Sequence, residues 1–475
     1  MSIQRLPVTV VMPSVALLLF AAFTTLAEKI PLRNGLGYDG VGYAAIARNI
    51  GALLTGSLPL DALTFNRFLP SLLCGLTLHG LGISPTDQAI VAFFAIYNML
   101  LLTAGAFLWA SISTLSGFSV RGCWLGFLAI FCSHASLKYN IYYSVITDVT
   151  ALSLGLVMLW AFLQRRNLLV AVATVLGSAT WPTLLPVGLL LLVFPARPMP
   201  PSPPAPRRTA LFLTMLLLLV SGCYLHLPDS LQPGTVAPLA GAAVLVVVIV
   251  PALFLLCNTA TFFSLRTLLP VLSPWRLLFA GGLTVAVLVT LREITGNNSS
   301  ILTLATGYFF QIIQIGLRFP GEFLIAHTLY YGPWVLLLVL HFSTAAQVAR
   351  NTGLGMVLVC ALAVVQSITP LSRQLIAVMP FLAFLCVAAM DKQPCLMRRF
   401  LFWFAVVSLI VSKAWMRFST DPGNPEGTFS FDWYVSSTGA WMTFPFYWIQ
   451  GLFVAALTCW LWMLCRAPRA VAASR

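Results

Sequence analysis

The sequence predicts an all-α polytopic membrane protein of about 12–14 transmembrane helices, with interfacial helices in the first outer loop. Three observations lead there. Of 475 residues, 60% are hydrophobic and only 8% charged, against roughly 25% charged in an average soluble protein. Apolar runs of about 20 residues recur from Val8 to Cys465, each long enough to cross a hydrocarbon core of about 30 Å. These runs do not alternate with a period of two, which excludes a barrel. Backbone groups in lipid must then be satisfied inside helices.

The first run, Val8 to Ala27, ends in Thr25-Leu26-Ala27, a tolerable cleavage site for a signal peptide. Its length favours an uncleaved first helix. A long outer loop over 29–87 follows, then expected spans near 89–112, 121–137, 148–163, 168–181 and 183–195. Together they form an N-terminal module, 1–195. Pro195 to Pro206 has the composition of an extended connector, and a cytoplasmic linker is expected over 196–208. The C-terminal module, 209–475, has expected spans near 209–227, 237–257, 276–292, 328–348, 353–369, 373–390, 400–416 and 445–465. Its large outer loops are 292–328 and 417–444.

The net charge of +14 comes from basic residues scattered between apolar runs. That distribution argues against nucleic acid and for topology signals. With the N-terminus in the cytoplasm, Arg121, Arg165-Arg166, Arg197, Arg207-Arg208, Arg350, Lys392, Arg398-Arg399, Arg466 and Arg469 fall inside. Of the twelve acidic residues only Asp391 does. The ten cysteines form no CxxC pair and sit mostly in apolar runs, as Cys74, Cys132, Cys360 and Cys459 do. They read as small buried hydrophobes rather than a disulfide framework or zinc site. In the first outer loop, Gly42 to Leu54 has helical apolar spacing, and Phe68 to Ile83 is apolar but broken by Pro70, Gly75, Gly80 and Gly82. Both are expected to lie in the outer interface. Asn298-Ser299-Ser300 matches a glycosylation acceptor, a three-residue pattern that chance explains.

Gly37-Tyr38-Asp39-Gly40-Val41-Gly42-Tyr43 is the stretch richest in chemistry. Glycines around one carboxylate let the backbone turn sharply and admit a substrate. A helix starting just after Asp39 would turn its positive end toward that carboxylate. The alternative is that Asp39 merely caps this helix.

Asp39-Gly-x-x-Tyr43-x-x-Ile46-Ala47-Arg48, followed by Asn66-Arg67-Phe68-Leu69-Pro70, resembles bacterial membrane glycosyltransferases of the GT-C fold, the superfamily of mannosyl- and aminoarabinose-transferases. Tyr142-Tyr143-Ser144-Val145-Ile146-Thr147-Asp148 resembles the family's second acidic position. Ala179-Thr180-Trp181-Pro182-Thr183 and Arg373, ahead of Met379-Pro380-Phe381, are consistent with it. The resemblance covers residues 1–195 best. It implies a GT-C-like bundle and a polyprenyl-phosphate-linked sugar donor. The acceptor would be a lipid, glycan or protein at the outer face of a bacterial plasma (inner) membrane. It implies Asp39 as general base for an inverting displacement, since carboxylates are ionised at neutral pH and accept protons in such transition states.

Asp148 would bind acceptor or share a divalent metal, Mg or Mn, with Asp39; capping its own helix is the alternative. The leaving phosphate needs cations, and Arg373, then Arg67 and Arg318, are the candidates, with snorkelling to headgroups as the alternative for each. Tyr38, Tyr43, Glu322 and His327 complete the expected substrate-binding set, His327 beside Glu322 being able to polarise the phosphate. Outer aromatics such as Trp433 and Tyr434 fit an interfacial belt. Two other readings stay open. A transporter or lipid-linked sugar flippase would place ionisable residues at mid-span and show repeated halves. A surface-polysaccharide polymerase or ligase would rely on a large late outer loop.

Overall fold

A computed structural model of the chain describes residues 7–55, 57–58, 64, 66–199, 203–225, 237–258, 272–295, 318–393, 395–419 and 429–473. These are helical, apart from loops and a two-residue parallel bridge pairing Phe418 with Phe429 and Ser419 with Ser430. The Asn298-Ser299-Ser300 pattern, residues 296–317 of one outer loop and 420–428 of another lie outside the described residues.

The first helices are α1 (Val8–Leu26), α2 (Gly40–Arg48), α3 (Ile50–Leu54), α4 (Leu69–Gly80) and α5 (Asp87–Leu115). Helix α1 runs against α5 and buries Met12, Ala16 and Phe20, one face at i, i+4 spacing. The single helix expected over Gly42–Leu54 is broken at Asn49, where ψ is 52°. Helix α4 lies directly on α2, because Gly75 lets it come close: a Cβ there would stand 2.4 Å from the Ala47 carbonyl oxygen. Tyr43, Ala44, Ala47, Cys74 and Leu78 make this a small core of its own.

Helix α6 (Val120–Phe131) breaks at Cys132–His134 and continues, bent by 51°, over Ala135–Tyr142. Local side chains explain the break. The Ser136 hydroxyl donates to the Ile130 carbonyl at 2.7 Å, offering that acceptor an alternative to the helical ladder. Ala135–Tyr139 is a π-helical turn, a form that recurs at functional sites. Helices α7 (Asp148–Leu163), α8 (Asn167–Ser178) and α9 (Leu184–Val193) follow with short connections.

The second half holds α10 (Pro206–Leu225), α11 (Ala237–Cys257), α12 (Pro274–Thr295), α13 (Glu322–Tyr331), α14 (Trp334–Leu340), α15 (Phe342–Thr352), α16 (Leu354–Gln366), α17 (Met379–Met390), α18 (Arg398–Val411), α19 (Phe431–Ser436) and α20 (Phe444–Ala473). The span expected near 328–348 is therefore three helices. Gly332 at φ +102 and Pro333, which lacks an amide hydrogen, stop the first of them. Ten of the twelve residues of α17 are buried, which marks it as a core helix. It touches α6, α7, α14, α15 and α16.

Among the described residues three helices are long and apolar enough to cross a membrane: Val8–Leu26, Asp87–Leu115 and Phe444–Arg466. The bent pair Val120–Phe131 and Ala135–Tyr142 makes a fourth. Other apolar helices have 10–17 residues. Cys74, Cys132 and Cys360 are buried as expected, but Cys459 is exposed. Among its described side chains, helix α20 turns Val454, Leu457 and Leu461 inward, at i, i+3, i+7, and Cys459 lies off that stripe.

Candidate functional site

Three distant pieces of chain meet at the end of the core helix α17. The first is the turn into α2. Gly37 has φ +69, and a Cβ on it would stand 2.5 Å from the Tyr143 ring. Glycine satisfies both the left-handed backbone and the close ring. The Tyr143 hydroxyl accepts from the Asp39 amide and, at 3.1 Å, from the Gly40 amide. Burial and then the Asp39 charge push the Tyr143 phenol far above its ordinary value, so it stays a neutral hydroxyl. Asp39 occupies the N-cap position of α2, yet its side chain caps nothing. It turns instead to Arg373, whose Nη1 donates to Oδ2 at 3.0 Å, and remains 41% exposed.

Replacing Tyr143 with Phe removes the acceptor for two backbone amides, a loss of about 1–3 kcal/mol for a buried donor. If the turn positions a catalytic carboxylate, turnover of Tyr143→Phe should fall about tenfold, as roughly 1.4 kcal/mol of barrier would give. Steady-state kinetics of the purified variant check this, and unchanged turnover would remove the buttressing role.

The second and third pieces are Asp148 and Arg373. Asp148 lies in the first turn of α7, where the helix dipole favours a carboxylate. It is fully buried. Its Oδ1 accepts from Arg373 Nε at 3.0 Å and its Oδ2 from Nη2 at 2.9 Å, a bidentate fork. Thr147, not Asp148, is the N-cap residue. Arg373 sits in the 3₁₀ turn Ser372–Leu375 leading to α17. That turn is pinned by His327 Nδ1 on the Ser372 hydroxyl at 2.9 Å and by the Tyr331 hydroxyl donating to the Ser372 carbonyl.

Gly155 sets the approach of α7, since a Cβ there would come within 2.4 Å of the Ala377 carbonyl oxygen. Gly155→Ala must therefore push α7 away from the segment that carries Arg373. The expected result is a loss of about 1–3 kcal/mol in detergent thermal unfolding, the usual scale for overpacking; an unshifted transition would contradict the close approach.

Asp39 and Arg373, with Asp148 behind them, edge a cavity of about 380 Å³, within the range of small-molecule sites. Aromatic rings line much of it, including Tyr38, Tyr139, Tyr142, Tyr330, Tyr434 and Trp441. The Arg373 guanidinium lies over the Tyr139 ring, 5.4 Å from its centroid. His134 and Lys413 line it as well.

Of the expected site residues, Tyr38, Asp39 and Arg373 face this cavity, and Asp148 stands behind Arg373. The others do not line it. Tyr43 is packed in the α2–α4 core at the inward face of its helix. Arg67 is buried with its guanidinium 4.0 Å from the Trp181 ring centroid. Arg318 donates to the Met442 carbonyl and stacks over Phe319. Glu322 is fully buried, and neither carboxyl oxygen has a hydrogen-bond partner among the described residues. Burial pushes its carboxyl up to about 8, against the opposing Arg318 charge. His327 has both ring nitrogens engaged, by Ser372 and by the Ser367 carbonyl at 2.9 Å, so it holds the Arg373 turn rather than a ligand. His134, Tyr139 and Lys413 were not anticipated. The run Ser133-His134-Ala135-Ser136-Leu137-Lys138-Tyr139, rich in polar groups, was the signal available for the first two.

Among the described residues no three His, Cys, Asp or Glu side chains cluster as metal ligands. Asp39 and Asp148 converge, but on a guanidinium, and both Asp148 oxygens already accept from it. A Mg or Mn ion would need those oxygens and would meet a fixed positive charge. This donor set does not fit a divalent metal.

Compared with known families, characterised proteins and solved structures, the chain matches no family model, no curated protein and no solved structure. Fold and site together fit a helical membrane protein with an aromatic cavity in which an arginine braces a carboxylate.

Proposed function

We propose that the chain is an inverting glycosyltransferase of the GT-C type, in a bacterial plasma membrane with its cavity facing outward. It moves a hexosyl or pentosyl group from a polyprenyl-phosphate donor to a lipid, glycan or protein hydroxyl. The observation that carries this reading is Asp39: a half-exposed carboxylate in an aromatic cavity, oriented by Arg373, which Asp148 locks from behind. In this reading several of the apolar helices of 10–17 residues also serve as spans, completing a bundle of about 12–14.

The geometry supports a one-step displacement. Asp39 Oδ2 is held by Arg373, which leaves Oδ1 to take the acceptor's hydroxyl proton. The acceptor oxygen bonds to the anomeric carbon as the carbon–oxygen bond to phosphate breaks. The electron pair leaves with the lipid phosphate, and the anomeric centre inverts in one displacement. Aromatic walls offer flat apolar faces to the sugar ring and the first isoprene units. Arg373 orients the base and does not need to touch the phosphate.

The direct test uses membrane vesicles containing the overexpressed chain, supplied with short-chain polyprenyl-phosphate-linked hexoses and pentoses. The expected result is release of polyprenyl phosphate with an inverted glycosidic product. Donor that crosses the bilayer with its sugar–phosphate bond intact would instead favour a flippase.

A further inference from the structure

We propose that Lys413 is the anion-binding pole of the cavity and takes the phosphate group of a phosphate ester. The inference deepens the transfer reading and rests on it for the ligand's chemistry.

Charge at the cavity's two cationic residues decides between them. Arg373 carries one positive charge and pairs with two carboxylates, Asp39 and Asp148. If both are ionised, its corner is net negative and repels a phosphate. Lys413 lines the same cavity and makes no ion pair with a described residue. Its Nζ lies 6.0 Å from the Tyr434 ring centroid, at the outer reach of a cation–π contact. The nearby Lys138 is already engaged, by Glu28 and the Met416 carbonyl.

The backbone gives an independent sign. Helix α18 ends at Val411, and Lys413 just beyond it has φ +54. Glycine is the usual residue for a left-handed position after a helix. A lysine there carries steric strain, and strained residues cluster at ligand sites. His134 holds this corner from the opposite side: Nδ1 meets the Ser412 carbonyl at 2.8 Å and Nε2 the Tyr434 hydroxyl at 3.0 Å. With both nitrogens engaged, His134 fixes the Lys413 backbone and does not compete for the ligand. The carbonyl end of α18 favours a cation without neutralising it as a carboxylate would. The cavity thus has an acidic pole at Asp39 for a hydroxyl and a cationic pole at Lys413 for a phosphate.

Binding of inorganic phosphate, farnesyl phosphate and dioleoyl phosphatidic acid to the purified full chain in neutral-lipid nanodiscs tests this without turnover. Lys413→Gly removes the ammonium and suits the left-handed backbone, so loss of binding there does not reflect misfolding. The expected result is saturable binding weakened at least tenfold in Lys413→Gly and kept in Lys413→Arg. Farnesyl phosphate binding most tightly marks a prenyl-linked source, phosphatidate a bilayer headgroup, and inorganic phosphate a free ester. Equal affinity in wild type and Lys413→Gly, or no saturable binding of any probe, overturns the proposal. Lys413-dependent binding in a chain that transfers no sugar would leave it standing and remove only the transfer reading.

Discussion

Asp39→Asn should lower sugar transfer by about 10²–10⁴-fold, the usual contribution of a positioned general base. The substitution is nearly isosteric, and its amide oxygen can still accept from Arg373 Nη1 where Oδ2 now does. Asp148 keeps Arg373 neutralised through its bidentate fork. The fold should therefore survive, and the loss should fall on kcat with little change in KM. Initial rates in vesicles, normalised to the amount of folded protein, check this. Undiminished transfer would remove Asp39 as the base.

Arg373→Met should produce the largest loss of stability of any single change at the site. It leaves Asp148, fully buried, without the cation that occupies both of its oxygens. Breaking a buried pair by removing one partner costs about 3–5 kcal/mol, because the remaining charge is uncompensated. The double variant Arg373→Met, Asp148→Asn removes that charge and should recover much of the thermal stability. It should not recover transfer, because Asp39 loses the group that orients it. A double variant no more stable than the single one would contradict a charge-based explanation.

The helix pattern was largely legible because hydropathy reports burial in lipid or core alike. Expected spans at 148–163 and 237–257 coincide with α7 and α11 as observed. Breaks inside apolar runs were not legible, because Gly332-Pro333 and Ser133–Ser136 carry their effect through local backbone geometry rather than mean hydropathy. Within the site, Asp39 stood out for the glycines around it, Asp148 at the outer start of a helix, and Arg373 as a charge near the end of an apolar run, where it is costly unless paired. Arg373 meets Asp148 across 225 residues and Asp39 across 334. Tyr43, Glu322 and His327 misled because chemistry-bearing side chains look alike in sequence whether they face a cavity or a core. Lys413 was hidden for the converse reason. It follows an apolar helix without an obvious stop, and the left-handed turn that aims it into the cavity uses a residue other than glycine.

Sided labelling at Tyr38, the exposed cavity residue beside Asp39, is the most direct check on an outward-facing base. Tyr38→Cys in a chain whose exposed Cys459 is replaced by Ser should react with a membrane-impermeant maleimide on intact spheroplasts, and donor analogue should slow that reaction. Labelling confined to inverted vesicles would put the carboxylate on the cytoplasmic side and contradict outward-facing transfer.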